Sequence, residues 1–347
     1  MSKYIKRQGF AFFSLLFIII IIGKLVIIAQ EPITGEWRTD DWSTKKAIDS
    51  APEWINLGQG KDIHLTFERR LPNGKNSHGS NFSFSELQGL TREQAQNGSV
   101  SFRLVREAGT VECQGTFTNG KGSGTFTFTP STSYLAAMKS RGFDFANSSF
   151  NSNEGVSGKA LSAALINVTT ALADDLKSVD IGVLDVEDLF KAAIFRVDSK
   201  FMAEMKASGY QGLKMEDLVK ARIFKIDAEF VRKMNDMGFG GKDFEKMVKF
   251  SIFKVTPEYL SELKAAGFNN LSSEDVVQFR IFKVTPELLN TLKSEGFDNL
   301  SAEQVVKFRI FNIDREFIRA AKVAEPKITV DQLVEMKIGV RRRKNDN

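Results

Sequence analysis

One motif recurs through the C-terminal half of the chain at a spacing of 29 residues. It reads Ile194-Phe-Arg-Val-Asp198, Ile223-Phe-Lys-Ile-Asp227, Ile252-Phe-Lys-Val-Thr256, Ile281-Phe-Lys-Val-Thr285 and Ile310-Phe-Asn-Ile-Asp314. Leu165-Ile-Asn-Val-Thr169 falls 29 residues earlier and starts a degenerate copy. A fixed step of this length is the mark of stacked supersecondary units, none of which buries its apolar face alone. Each unit reads as two helices. Asp198, Asp227, Thr256, Thr285 and Asp314 are N-cap residues, and Pro257 and Pro286 occupy the first helical position. Phe201, Phe230, Tyr259, Leu288 and Phe317 follow, with Met205, Met234, Leu263 and Leu292 four residues on, so one helical face is apolar. Gly209, Gly238, Gly267 and Gly296 are placed as left-handed C-terminal caps. The second helix starts after Ser272 or Ser301, where Ser272/Asp275 and Ser301/Gln304 approximate capping boxes. Helices of about 10 residues are marginal in isolation, so the expected form is an α-helical solenoid of αα units over residues 161–338. Tyr134-Leu-Ala-Ala-Met138 with Gly142-Phe143 matches the first helix of a unit. It reads as an outlying copy in a segment 131–160 that also holds an Asn/Ser/Gly-rich linker.

Upstream, the period changes from helical to two. Ile63/Leu65/Phe67, Val100/Phe102/Leu104, Val111/Cys113/Phe117 and Phe126/Phe128 alternate with polar residues, the signature of strands buried on one face. Asn119-Gly120 marks a hairpin. Residues 30–130 are therefore expected to form an antiparallel β domain, a meander that closes on itself or a small sandwich, with Trp37, Trp42 and Trp54 over an open end. The fold class is α+β and multidomain: a β domain, then the helical array, then a basic tail at 339–347.

The first 29 residues carry Lys3, Lys6, Arg7 and Lys24 and no acid, around an apolar run from Gly9 to Ile22. They read as a signal peptide cleaved after Ala29 or as a retained anchor over residues 9–29; both place the rest outside the cytoplasm, periplasmic or secreted. The net charge of +5 is then misleading, because removing those four cations leaves +1. A body this close to neutral does not suit a nucleic-acid binder.

Catalytic chemistry is sparse. The two histidines are read as solvated: His64 on the polar face of a strand, His78 in a Gly/Asn/Ser-rich loop from Asn73 to Ser80. The single cysteine, Cys113, lies on an apolar strand face and reads as a buried thiol. Gly120-Lys-Gly-Ser-Gly124 lacks the ending of a phosphate loop. Neither a cofactor nor a metal site is expected, and the protein is read as a non-enzyme. The charged columns are the candidate functional feature. Arg196, Lys225, Lys254 and Lys283 form one, and Arg222, Arg280 and Arg309 another. They either complement helix C-termini or form a ridge that binds an acidic partner.

The unit Leu-Ser-x-Glu-x-Val-Val-x-Phe-Arg-Ile-Phe-x-Val-Thr-Pro-Glu-Tyr-Leu resembles repeats of bacterial envelope proteins. Some of those stand C-terminal to the membrane metallopeptidase domain of BlaR-type sensors. The likeness covers about Leu165 to Ile338, and the strands from Gly109 to Phe128 look like the module before such repeats. The resemblance implies an extracytoplasmic sensing or docking region with a protein partner in the envelope, such as a membrane signalling protein. It does not imply protease activity, because this sequence has no His-Glu-x-x-His. The alternative expectation is a β domain that binds a small ligand or glycan, with the helices as a spacer.

Overall fold

The computed structural model describes residues 31–39, 62–72 and 74–340. The N-terminal segment, Trp42, Trp54 and the basic tail from Arg341 on lie outside the described residues. Seven strands come first: β1 (Ile33–Thr39), β2 (Ile63–Leu71), β3 (Gly74–Phe82), β4 (Leu87–Gln88), β5 (Gly98–Arg106), β6 (Gly109–Thr118) and β7 (Lys121–Pro130). They form one antiparallel sheet in the order β3-β2-β1-β7-β6-β5-β4. Asn119 and Gly120 take positive φ in the β6–β7 turn, as the Asn-Gly pair requires.

Fourteen helices follow among the described residues. They are α1 (Thr132–Ser140), α2 (Gly155–Leu165), α3 (Thr170–Lys177), α4 (Val186–Phe195), α5 (Ser199–Ala207), α6 (Met215–Ile223) and α7 (Ala228–Asp236). Then come α8 (Phe244–Ile252), α9 (Pro257–Ala265), α10 (Ser273–Ile281), α11 (Pro286–Ser294), α12 (Ala302–Ile310), α13 (Arg315–Ala324) and α14 (Val330–Lys337). No single helix among the described residues is long and apolar enough to cross a membrane.

Among the described residues the strands form one open sheet, neither a closed meander nor a sandwich. Its inner face, with Leu65, Phe67, Phe102, Val111, Cys113, Phe126 and Phe128, is buried, and α2 packs against β3, β6 and β7. Since β3 and β7 stand three places apart in the sheet, contact with both requires the strands to curve around the helix. Trp37 is corrected as well. It is 1% exposed, its Nε1 donates to the Gln114 carbonyl at 3.1 Å, and its ring crosses β6 at Gly115. A Cβ at Gly115 would stand 2.6 Å from Trp37 Cζ2, so the indole needs glycine beneath it. It is a core residue and covers no open end.

Two stretches that composition presents as irregular are regular. Most of the expected Asn73–Ser80 loop is strand β3, paired with β2 from Leu71↔Gly74 to Ile63↔Phe82. The Asn/Ser/Gly-rich linker runs into α2, which is buried from Gly158 to Leu165. That helix ends at Asn167 in left-handed conformation, followed by buried Val168 and the N-cap Thr169, as the later copies of the motif do. It stands in the second-helix place of the first copy and serves as core to the sheet. One apolar core therefore runs unbroken from Trp37 to Leu333.

Two runs of helices are in successive contact. The first is α4–α6–α8–α10–α12–α14 and the second α1–α3–α5–α7. The expected caps are present: Asp198, Asp227, Thr256, Thr285 and Asp314 each accept from the backbone N–H three residues on. Ser272 with Asp275, and Ser301 with Gln304, form reciprocal capping boxes.

Candidate interaction surface

The recurring motif builds a turn whose five residues have separate tasks. Its third residue enters the left-handed region: Arg196 (φ 54°), Lys225 (52°), Lys254 (55°), Lys283 (53°) and Asn312 (46°). The fourth residue is buried, and its N–H reaches back five residues, as in Val255 N to Phe250 O at 2.7 Å and Val284 N to Phe279 O at 2.7 Å. This is the six-to-one bond and apolar contact of a Schellman end. Such a position ordinarily takes glycine or asparagine. A side chain there costs about 1 kcal/mol, yet four successive copies carry Arg or Lys. All four cations are exposed.

The first residue of the motif is half exposed in four of the five copies. Ile194, Ile252, Ile281 and Ile310 lie at 48–53% exposure. Each is at or next to the last helical residue, and the left-handed turn that follows directs the next apolar residue inward in its place. An isoleucine column thus stands two residues from the cation column.

The turns are contiguous, because side chains tie one to the next. Arg222 Nη2 donates to the Arg196 carbonyl at 2.7 Å, Arg309 Nε to the Phe282 carbonyl at 3.0 Å, and Ser251 Oγ to the Phe224 carbonyl. Arg222 also lies 3.7 Å above the Phe201 ring and Arg280 3.6 Å above Tyr259. Burial lowers the Arg222 pKa, with Asp198 and Glu204 acting against that shift. The second candidate column is therefore engaged within the fold: two guanidiniums are stacked on rings and one caps the preceding helix. The 21-residue step from ring to arginine was present in the sequence, but nothing local to either residue marks the contact.

A further ladder joins successive helices of the first run. Lys191 pairs with Glu216 at 2.8 Å, Lys307 with Asp331 at 3.0 Å, and Lys220 with Glu245. The hydrogen bond to Asp331, then that to Glu303, holds the Lys307 pKa up. Exposed pairs of this kind contribute little singly, about 0.2–1 kcal/mol.

A polar cluster missed in the sequence lies under the sheet, where His78 of β3 meets the residues around α2. His78 Nε2 is 3.4 Å from Glu154 Oε2 and 3.4 Å from Ser162 Oγ. Glu154 and Ser162 are buried. Burial opposes ionisation of Glu154, but hydrogen bonds from His78, Asn76 and Ser162 outweigh it and hold its pKa below the ordinary carboxylate value. Arg69 Nη1 is buried nearby without a hydrogen-bond partner. The set contains Ser, His and Glu, but Ser162 and the carboxylate share one ring nitrogen. A base relay needs them on opposite nitrogens, and the arrangement reads as a fastening between sheet and helix. His78 is thus not a solvated loop residue. His64, on the other strand face, has Nδ1 2.9 Å from Asn81 Oδ1. Cys113 is buried, and burial pushes its thiol pKa up.

The sheet's outer face carries a shallow groove of about 530 Å³ whose walls include Thr34, Glu36, Glu68, Arg70, Lys75 and Thr127. Its walls include no tryptophan. Among the described residues no group of three or more His, Cys, Asp or Glu side chains is placed to hold a metal ion. Set against known protein families, curated proteins and solved structures, the chain matches none.

Proposed function

We propose that the helices form an αα solenoid of 29-residue units that serves as a docking scaffold for a protein partner, without catalysis of its own. The even spacing of the helix starts supports the architecture: Thr170, Ser199, Ala228, Pro257, Pro286 and Arg315. The observation that carries the docking role is the tied row of turns. Three of them present a half-exposed isoleucine (Ile194, Ile252, Ile281) beside a cation (Arg196, Lys254, Lys283) held in a conformation that disfavours its side chain. A strained position repeated four times with the same charge points to use of that charge.

The resemblance to envelope repeats and the basic, apolar N-terminus support an exported protein, periplasmic or secreted or anchored by residues 9–29. The partner is then a component of the envelope, such as a membrane signalling protein. The outer-face groove supports the second reading, in which the β domain holds a small polar ligand or glycan.

Photo-crosslinking in the native envelope separates the two. A crosslinking residue placed at Lys254 or Ile281 is expected to trap one discrete protein adduct, lost when Lys283 and Lys225 are changed to Glu. Adducts arising only from a crosslinker at Thr127 on the outer sheet face would overturn the scaffold reading in favour of the β domain.

A further inference from the structure

The ladder between helices of the first run is interrupted over two successive rungs. Lys191 reaches Glu216 and Lys220 reaches Glu245, each 25 residues on. Lys249 and Glu274 stand at the same spacing, and they form neither an ion pair nor a hydrogen bond through their side chains. The next rung offers Gln278 where the other copies have lysine, and Glu303 turns to Lys307 within its own helix at 3.3 Å. Asp243, at the N-cap of α8, makes no capping hydrogen bond, although its counterparts Ser272 and Ser301 do.

Where the ladder is missing, a cleft of about 300 Å³ opens between α8 and α10. Phe250, Phe253 and Val277 make its apolar wall, with Lys249 on one helix and Glu274 and Gln278 on the other. Phe253 is the only exposed phenylalanine of its column; Phe195, Phe224, Phe282 and Phe311 are half-buried. The cleft adjoins the isoleucine and cation columns through Ile252 and Lys254. Its volume is at the small end for ligand sites and suits one large side chain better than a cofactor. Polar groups without partners around an apolar centre are how such a site fixes the orientation of what enters.

We propose that this cleft receives an extended peptide segment of the partner protein, one large apolar side chain entering between Phe253 and Val277. An acid of that segment meets Lys249 and a base meets Glu274. The assignment rests on the scaffold reading and locates its anchor. Lysine and glutamate on opposite walls, each without a counter-charge, complement a segment that carries both signs on either side of its apolar residue. A partner of one sign would leave one of the two unmatched.

The test uses the full-length protein in detergent and three peptides: Ac-Gly-Glu-Phe-Lys-Gly-NH2, its charge-reversed form Ac-Gly-Lys-Phe-Glu-Gly-NH2, and the first with alanine for phenylalanine. Saturation-transfer NMR reads their binding. One phenylalanine peptide is expected to bind at least about fivefold more tightly than the other, and the alanine peptide not at all. The double variant Lys249→Glu/Glu274→Lys, confined to exposed side chains, is expected to invert the preference, and Val277→Asp to lose both peptides. Equal binding of the phenylalanine and alanine peptides would overturn the cleft assignment, as would a charge preference unmoved by the double variant. If crosslinking at Lys254 still traps its adduct in that case, only the cleft falls and the scaffold stands.

Discussion

The guanidinium of Arg222 lies 3.7 Å above the ring of Phe201, in the helix just before its own. The same arginine closes the preceding turn through the Arg196 carbonyl, so one side chain joins two copies of the motif. Arg222→Ala is expected to cost about 1–3 kcal/mol, read as a lower urea midpoint. Arg222→Lys should recover less than half of that, because an ammonium keeps the charge but not the planar stack. Full recovery by lysine would show that charge alone matters there.

The left-handed cations give a prediction in which stability and binding move in opposite directions. Lys254→Gly and Lys283→Gly relieve backbone strain and should each stabilise the fold by about 0.5–1 kcal/mol. If the cations serve a partner, the yield of the envelope adduct falls while the melting temperature rises. Loss of stability on both substitutions would mean that the lysines hold the fold.

Gly158 in α2 tests the fastening under the sheet. In an ordinary helix Gly→Ala gains about 1 kcal/mol. Here a Cβ would come 2.8 Å from Arg69 Nη1 and 2.6 Å from Glu154 Cβ, so Gly158→Ala should be a net loss of about 1–3 kcal/mol. Thermal unfolding measures it, and any stabilisation would contradict the close packing.

Glu154 should also shape the acid limb of stability. Its folded pKa is depressed, so its contribution is complete above the ordinary carboxylate value and fades as pH falls through the lower folded value. Urea midpoints taken from about pH 6 down to about pH 3 should decline for the wild type. Glu154→Gln should start lower and decline less steeply over that range. Parallel profiles would remove Glu154 from the account.

Legibility in the sequence followed how local each cause is. The caps at Asp198, Thr256 and Ser301 were readable because each acts within three residues of itself. The alternation of Phe126 and Phe128 was readable because one face of the sheet is apolar. Strand β3 was not, since Gly-Lys-Asn-Ser-His-Gly-Ser-Asn contains almost no strand-forming residue and is held extended by its pairing with β2 and its contacts with α2. Helix α2 was hidden for the opposite reason. It is buried on nearly every side and shows no polar face to set a period, so its glycines, serines and alanines read as a linker. The exposure of Ile194, Ile252, Ile281 and Ile310 was not legible, because hydrophobicity reports a preference, while the left-handed turn decides which of two neighbouring apolar residues turns inward.

The position of α2 has a mechanical consequence. A row of helices that ends in the open leaves its last apolar face to water, and at this end the curved sheet closes over that face. The same helix belongs to both parts, so a pull or a twist applied along the helical runs reaches the strands through a shared element. Tension on one part of the molecule is registered in the other.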